Sequence, residues 1–362
     1  MMAQYWSEEQ IGRIRARSLE MERAGAVDPE WLQQMVHKKM FKLFVPVELG
    51  GTMTALPEAL KVFEETAWVD GGLGWTVTIG AGGGFFVPFM EPAICSHQFL
   101  PDDAVIAGSG QPTGRAVPAA GGYRVSGSWK YCSGAHHATM FTANVWIEST
   151  NPTDEPSIRA CIFQPEQVKI VEDWDAFGMK ATGSHTIVVE EVFVPEERTF
   201  SLAHTYSDYD HPLYHYPFAL FAEVSFAALC LGVGRHFLDE AHLMVADKLE
   251  SFPPPSPERA AGMSKVLERA EAQFEEIQGC FYEQVNLSWQ ELMDRGELDS
   301  ARADEVSRKA KLTAKAIREM ADGVFPYMGL LAIMESHRMN QIWRDLQTAC
   351  QHSSLLIFEG IV

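Results

Sequence analysis

Apolar residues along this chain follow three successive rhythms. From about residue 7 to 100 they recur at helical spacing: Ile11, Ile14 and Leu19, with Arg15 on the same face, open one amphipathic run. Leu56, Leu60, Phe63, Glu64 and Ala67 carry another, after Pro46 and Gly50-Gly51 break the chain. Between about 104 and 200 the texture changes to short β-rich runs at 104–109, 123–129, 139–147, 157–163 and 186–195, separated by turn clusters such as Gly121-Gly122 and Asn151-Pro152. Strands alternating with long helices would mark a parallel nucleotide fold, and that alternation is absent, so the expectation is a small antiparallel β domain or barrel.

Helical periodicity returns after Pro217. Met263, Leu267, Ala270, Phe274, Ile277 and Phe281 define one apolar stripe. Ala303, Val306, Ala310, Ala314, Ile317 and Ala321 form a second stripe of mostly small residues that permit close helix approach. Pro253-Pro254-Pro255 precedes the first of these helices and Arg295-Gly296-Glu297 joins it to the second, which predicts a bundle of about four helices. The expected class is α+β: a helical unit over 1–103, a β-barrel unit over 104–205 and a helical bundle over 206–362.

Charge narrows the partners. Asp+Glu 49 against Lys+Arg 29 leaves a formal net charge of −20, which argues against nucleic acid, whose phosphates need clustered cations, and offers nothing to anionic membranes. The nearest approach to a membrane span is the uncharged stretch between Asp70 and Glu91, but its glycines and Pro88 read as buried helix and loop. Six cysteines are scattered without a CxxC pair, and Trp6, Glu8 and Glu9 near the start do not form a basic, then apolar, leader, so a reduced, cytoplasmic protein is expected.

The chemistry concentrates in a few segments. Residues 126–138 read Ser-Gly-Ser-Trp-Lys-Tyr-Cys-Ser-Gly-Ala-His-His-Ala, a strand followed by a turn of small residues. Upstream lies Gly108-Ser109-Gly110-Gln111-Pro112-Thr113-Gly114, and downstream Phe177-Gly178-Met179-Lys180-Ala181-Thr182-Gly183-Ser184-His185. Near the C-terminus, Trp343-Arg344-Asp345 is followed by Gln351-His352-Ser353. A strand turning at Ser133-Gly134 can present a hydroxyl and an amide to the edge of a planar ring, which is what a flavin site requires beside a flat apolar slot. The same residues also suit a plain hairpin corner with Ser133 in a turn hydrogen bond.

In this helix–β–helix order, these motifs resemble the acyl-CoA dehydrogenase superfamily over nearly the whole chain, from about Lys42 to His352. The resemblance implies FAD or FMN, contacted by Ser109, Gln111, Thr113, Tyr131, Cys132, Ser133, Gly183, Ser184 and Arg344, and a homotetramer assembled through the C-terminal bundle. The true dehydrogenases place a catalytic glutamate shortly after the Arg-Asp pair. Here, eight residues beyond Asp345 stands Ser353, with His352 beside it and no carboxylate.

Removing the α-proton of an acyl thioester needs a carboxylate base, so this chain is more similar to the flavin-dependent monooxygenases of the superfamily, the oxygenase components of two-component aromatic hydroxylases. Those are supplied with reduced flavin by a separate reductase and act on a small organic substrate. The resemblance makes His352 and Ser133 the catalytic candidates, His352 to position or deprotonate substrate with a pKa near 6.5, and Ser133 to hydrogen-bond beside the flavin N5. The alternative is an acyl-CoA dehydrogenase-like FAD dehydrogenase or oxidase that draws its base from elsewhere, with Glu359 the suspect although it lies nearly two turns further along, at about 1.5 Å per residue. Two departures stand out: 80–84 lacks the histidine some aromatic hydroxylases carry, and Lys248 lies where relatives often carry an arginine.

Other candidates carry less. The glycines of 80–84 do not form GxGxxG in a βαβ unit. His211 and His215 lack a third ligand at diagnostic spacing, and no metal is expected. His236 and Glu240 read as a surface hydrogen bond, and Asp239 and Glu240 as a solvated face.

Overall fold

The computed structural model describes residues 4–149, 157–206, 209–251 and 256–357. Asn151-Pro152, Pro253-Pro254-Pro255 and Glu359 therefore lie outside the described residues.

Helices α1 (Glu8–Ala24) and α2 (Pro29–His37) begin where the sequence supplies caps. Ser7 closes a capping box with Gln10, and the Asp28 side chain accepts from Glu30 N with Pro29 in the first turn. α3 (Leu56–Val69) ends at Asp70, whose carboxylate accepts from Leu73 N at 3.1 Å and so starts α4 (Gly71–Gly82). The uncharged stretch after Asp70 is α4 and a 3₁₀ segment, Gly83–Phe89, both largely buried. Its glycines are required by close approach: a Cβ on Gly74 would fall 2.5 Å from Ala67 of α3, and one on Gly83 1.6 Å from Ile106. α5 (Pro92–Phe99) closes this first helical segment.

The predicted strands form as β1 (Ile106–Ala119), β2 (Gly122–Cys132), β3 (Met140–Ile147), β4 (Ser157–Phe163) and β6 (His185–Pro195). β5 (Lys169–Val171) and β7 (Thr199–Phe200) are too short to have shown an alternation. The sheet order is β5-β6-β2-β1-β3-β4-β7. Two expectations change here. Among the described residues this order has two ends and is not a closed barrel, and β1 and β3 run parallel where an antiparallel pair was expected. The parallel pair arises because the turn at 133–137 carries the chain from β2 across the start of β1, where Thr139 N donates to Val105 O at 2.8 Å. The sheet has its own core around Trp129, whose ring occupies the space that a Cβ on Gly114 would need, 2.1 Å from Cζ2.

The C-terminal segment contains α6 (Phe218–Glu250), α7 (Pro257–Arg295), α8 (Ser300–Val324) and α9 (Arg338–Ala349). Both predicted stripes are buried, with Ile277 and Ala303 at their partly exposed margins. Helices from the two ends of the sequence share one apolar core, organised around α6, which packs on α3, α7, α8 and α9. α6 is the one described helix long and apolar enough to cross a membrane, and 78% of its apolar window is buried inside the protein.

Gly232 marks the α3–α6 crossing, since a Cβ there would sit 2.1 Å from Glu64 O and 2.8 Å from Ala67 Cβ. Gly232→Ala is expected to destabilise the fold by about 1–3 kcal/mol through overpacking. An unchanged urea midpoint for this variant would contradict the packing argument.

Candidate active site

At the end of β2 the register with β6 slips: Trp129 pairs with Ile187, but Cys132 pairs with His185, so Lys130 and Tyr131 bulge opposite Thr186. Tyr131 adopts φ +65° and stands 68% exposed. Such bulges re-aim side chains beside sites. The chain then turns, with Ser133 N donating to Tyr131 O at 3.0 Å, and Gly134 N donating to Thr182 O ties this turn to the 180–182 turn.

The buried Ser133 hydroxyl accepts from Trp75 Nε1 at 2.8 Å and lies 2.7 Å from Ser184 Oγ. Ser184 Oγ is in turn 2.6 Å from Thr182 Oγ1, which donates to Met179 O at 2.7 Å. Trp75, on α4, stacks flat on Phe226 of α6, with centroids 5.3 Å apart and planes 8° apart. The His352 ring lies 4.2 Å from Phe226 and 5.9 Å from Trp75. Ser133 and His352 thus belong to one cluster, joined by two aromatic residues that the sequence reading missed. Trp75 sits in a glycine-rich apolar segment and Phe226 in a long apolar helix, where both look like ordinary core.

His352 follows α9 and caps the short 3₁₀ turn Ser353–Leu355, its Nδ1 accepting from Ser354 N at 3.3 Å. An accepting Nδ1 leaves the hydrogen of the neutral ring on Nε2. Burial pushes the imidazole down to about 4, which corrects the expectation of a pKa near 6.5: around neutrality His352 is an uncharged hydrogen-bond donor. The backbone behind it is held by Cys350, whose Sγ lies 3.6 Å from Cys230 Sγ of α6.

The remaining predicted residues divide. Ser184 joins the hydroxyl cluster, and Gly183 takes φ +51°, where a Cβ would lie 3.3 Å from Gly25 O. Gln111 and Thr113 lie in a bulge of β1 and Ser109 at its edge: Ser109 pairs with Ala143 and Gly114 with Val145, so 110–113 stand opposite Asn144 alone. Gln111 and Thr113 are exposed, Thr113 Oγ1 donating to Ser128 O at 2.7 Å.

The structure assigns two residues differently. The Cys132 side chain points into the sheet core, where burial pushes its thiol up to about 12, so only its backbone faces the turn. The Arg344 side chain, expected at the cofactor, is spent on protein acceptors: Nε on Asn340 Oδ1 at 2.7 Å, and an η nitrogen on Glu22 and the Phe177 carbonyl. Next to it Asp345 Oδ1 accepts from Met179 N at 2.5 Å. The Asp345 carboxyl is raised well above its ordinary value by burial and by the Asp70 charge. Lys248 donates to the Tyr327 and Met328 carbonyls.

A cleft of about 230 Å³, lined by Lys130, Tyr131, Asp173, Trp174, Ser184 and Thr186, opens beside this cluster. The residues fit a flavin ring: Tyr131 and Trp174 offer aromatic surface, Ser184 a hydroxyl, and the 110–113 bulge backbone that leaves the β3 ladder. Among the described residues no group of three His, Cys, Asp or Glu side chains could hold a metal.

The secondary candidates also have settled positions. His211 caps its own turn and His215 pairs with Asp210. His236 is fully buried, not on the surface as expected, and neither ring nitrogen has a partner. Asp239 is not merely solvated: it accepts from Trp68 Nε1 at 2.6 Å and from Arg235 Nε at 2.9 Å.

Burial also pushes His137 down to about 4. A histidine whose folded pKa lies below its unfolded value contributes stability that is fully present above about 6.5 and lost as pH falls towards 4, because the unfolded chain then binds more protons. The variant His352→Asn, which has no imidazole to protonate, is expected to lose less stability than the parent between those limits. Denaturation midpoints at pH 7 and pH 5 test this, and equal losses in both proteins would contradict it.

Comparison with known proteins agrees with this architecture. Residues 224–356 match the family described as acyl-CoA dehydrogenase, C-terminal domain. The chain is 24% identical over 341 residues to indole-3-acetate monooxygenase of Pseudomonas putida, covering 94% of this chain and 87% of that protein. Among solved structures it resembles the 3-HSA hydroxylase from Rhodococcus sp. RHA1, with a TM-score of 0.88 and 20% identity over 96% of this chain and 92% of that one. It also resembles XiaF from Streptomyces sp. in complex with FADH2 and glycerol, with a TM-score of 0.83 and 19% identity over 96% and 93%. Residues 224–356 thus match the acyl-CoA dehydrogenase C-terminal domain family, and the chain as a whole has the acyl-CoA dehydrogenase-like fold.

Proposed function

We propose that the protein is the oxygenase component of a flavin-dependent monooxygenase, using reduced FAD or FMN and O2 to oxidise a small apolar or aromatic substrate. The observation that carries this reading is the cluster Ser133–Trp75–Phe226–His352, which pairs a buried hydroxyl and a neutral imidazole across an aromatic wall. The indole-3-acetate monooxygenase likeness supports the same reaction class.

Bound reduced flavin would supply two electrons for O2, so that one oxygen atom enters the substrate and the other leaves as water. The chain's own residues bind and orient. Tyr131 and Trp174 offer ring surface, Ser133 and Ser184 offer hydroxyls, and Trp75 and Phe226 form a wall against which an apolar molecule can pack. His352 donates a hydrogen bond through Nε2 without charging at neutral pH.

The described residues hold no βαβ nucleotide unit, so reduced flavin would come from a separate reductase. A dehydrogenase or oxidase, the alternative reading, needs a carboxylate base; the rings packed on His352 are those of Trp75 and Phe226, and Glu359 lies outside the described residues. A cytoplasmic location belongs to this reading and is supported by six free cysteines.

The decisive experiment supplies chemically reduced flavin, labelled dioxygen and a panel of small aromatic compounds to the purified chain. Label in one product oxygen is the expected result. Oxidation of substrate without label, or turnover that instead desaturates an acyl thioester, would reject a monooxygenase.

We further propose self-association as a homotetramer through the C-terminal bundle. Leu330 is 79% exposed, and Leu331, Ile333 and Met334 beside it are each more than half exposed, an apolar face that a second copy would cover. Sedimentation is expected to give a tetramer, and the double variant Leu330→Glu, Leu331→Glu a smaller species. A monomer at micromolar concentration would overturn this proposal.

A further inference from the structure

One wall of the cleft beside Tyr131 is built from irregular backbone. Asp173, Trp174, Asp175 and Ala176 line it, and residues 172–179, all described, form neither helix nor strand between β5 and the 180–182 turn. Side chains hold this segment in place. At its far end Trp174 Nε1 donates to Met179 O at 3.0 Å, and Arg344 donates to the Phe177 carbonyl. At its near end it is fastened to the first two residues of β6. The Asp173 carboxylate accepts from Thr186 N at 2.8 Å and from Thr186 Oγ1 at 2.6 Å, and Trp174 N donates to His185 Nδ1 at 3.1 Å.

The two fastenings differ in chemistry. Thr186 does not titrate, and its hydrogen bonds hold the Asp173 carboxyl below the ordinary carboxylate range, so that pair persists in mild acid. An imidazole nitrogen, by contrast, accepts only while it carries no hydrogen. Trp174 N is a donor only, so in the bonded arrangement His185 is neutral with its hydrogen on Nε2. A proton arriving at Nδ1 would set two donors against each other, and the bond would be lost. We infer that His185 is a positioning residue for the cleft wall: neutral, it fixes Trp174 in place, and protonated at Nδ1 it releases the wall, so that the cleft loosens as pH falls. This role goes beyond the reaction class proposed above and is independent of what the cleft holds. It acts through Trp174, whose ring meets Tyr131 edge-on across the cleft lining, with centroids 6.1 Å apart and planes at 77°.

The groups facing His185 set the direction of the change. His136, from the turn at 133–137, stands edge-on to it with centroids 5.0 Å apart, and its own Nε2 lies 3.6 Å from Glu172 Oε1. Partial burial and the neighbouring His136 disfavour the His185 imidazolium, while the Glu172 and Asp173 carboxylates favour it, and the balance lowers His185 from its ordinary value. The bonded form is therefore complete above about 6.5, the ordinary histidine value, and is lost as pH falls below it.

The test is hydrogen exchange of the full chain at pH 7 and pH 5, read by mass spectrometry on peptides covering 172–178 and corrected for the intrinsic effect of pH on exchange. In the parent, protection of this segment is expected to fall about three- to tenfold at pH 5, the worth of one hydrogen bond. His185→Asn offers an amide oxygen in place of Nδ1 that does not take up a proton in this range, and is expected to keep its protection at both pH values. His185→Phe keeps a ring but has no acceptor, and is expected to show low protection at both. A merely structural role would make the two variants alike.

Equal protection of the parent at the two pH values, a parent-like fall in His185→Asn, or full protection in His185→Phe at pH 7 would each overturn the inference. So would a fall that peptides from α6 share to the same degree, because that marks loosening of the whole molecule and not of one wall.

Discussion

Met179 is the residue on which the two halves of the molecule close. Its N–H donates to the buried Asp345 carboxyl of α9, and its carbonyl accepts from Trp174 Nε1 at 3.0 Å as well as from Thr182. One residue thereby joins the C-terminal bundle to the loop that ends in Ser184. Beside it Arg344 clamps Glu22 of α1 and the Phe177 carbonyl, so three chain segments far apart in sequence meet at one point. Removing one member of a buried ion pair leaves the other uncompensated, at a cost of about 3–5 kcal/mol. The Trp343-Arg344-Asp345 step therefore acts on the site from a distance: it sets the position of the carbonyl that anchors the hydroxyl chain.

The second constraint is steric. Trp75 reaches Ser133 from an α4 drawn tightly against α3 and the start of β1, and glycines at 74 and 83 permit that approach, while Gly80 makes room for the Phe41 ring. A helix so rich in glycine is a poor helix former, by roughly 1 kcal/mol per residue against alanine. Its stability must come from burial, and the helix is apolar around its circumference and almost wholly enclosed. Packing thus both compensates the weak propensity and delivers an indole to the site, and the parallel β1–β3 pair has a related cause, since the turn that presents Ser133 must step across β1.

Much of this was legible in the chain. The stripes of α7 and α8 and the alternation in five strands locate most elements, because periodicity records which face is buried. The pairing of β1 with β3 was not, because direction depends on where a connection crosses and short strands carry no such signal. Ser133 and His352 were identified from motifs and come together in space, but what joins them was hidden: Trp75 and Phe226 resemble core residues until their neighbours are known. The motif containing Arg344 was found and its side-chain partners were not, because the acidic partner, Glu22, comes from the far end of the sequence. Cys132 shows the opposite limit, since strand alternation on β2 decides which side its thiol faces, and the bulge at Lys130-Tyr131 resets that alternation.

The polarity of the site follows from these packing decisions. His352 accepts at Nδ1 and therefore donates at Nε2, while Ser133 accepts from Trp75 Nε1 and shares a hydrogen bond with Ser184. Burial keeps the imidazole uncharged at neutral pH, and a serine hydroxyl does not ionise there, so the donor and acceptor hold their roles across the physiological range. A titrating histidine would exchange donor for acceptor as pH changed and could carry a net charge beside an apolar wall. Here each role is fixed by a neighbouring backbone group, the Ser354 amide for His352 and the Met179 carbonyl at the end of the Ser133 chain. Backbone groups neither titrate nor rotate freely, which makes them suitable anchors for the hydrogen bonds of a buried cluster.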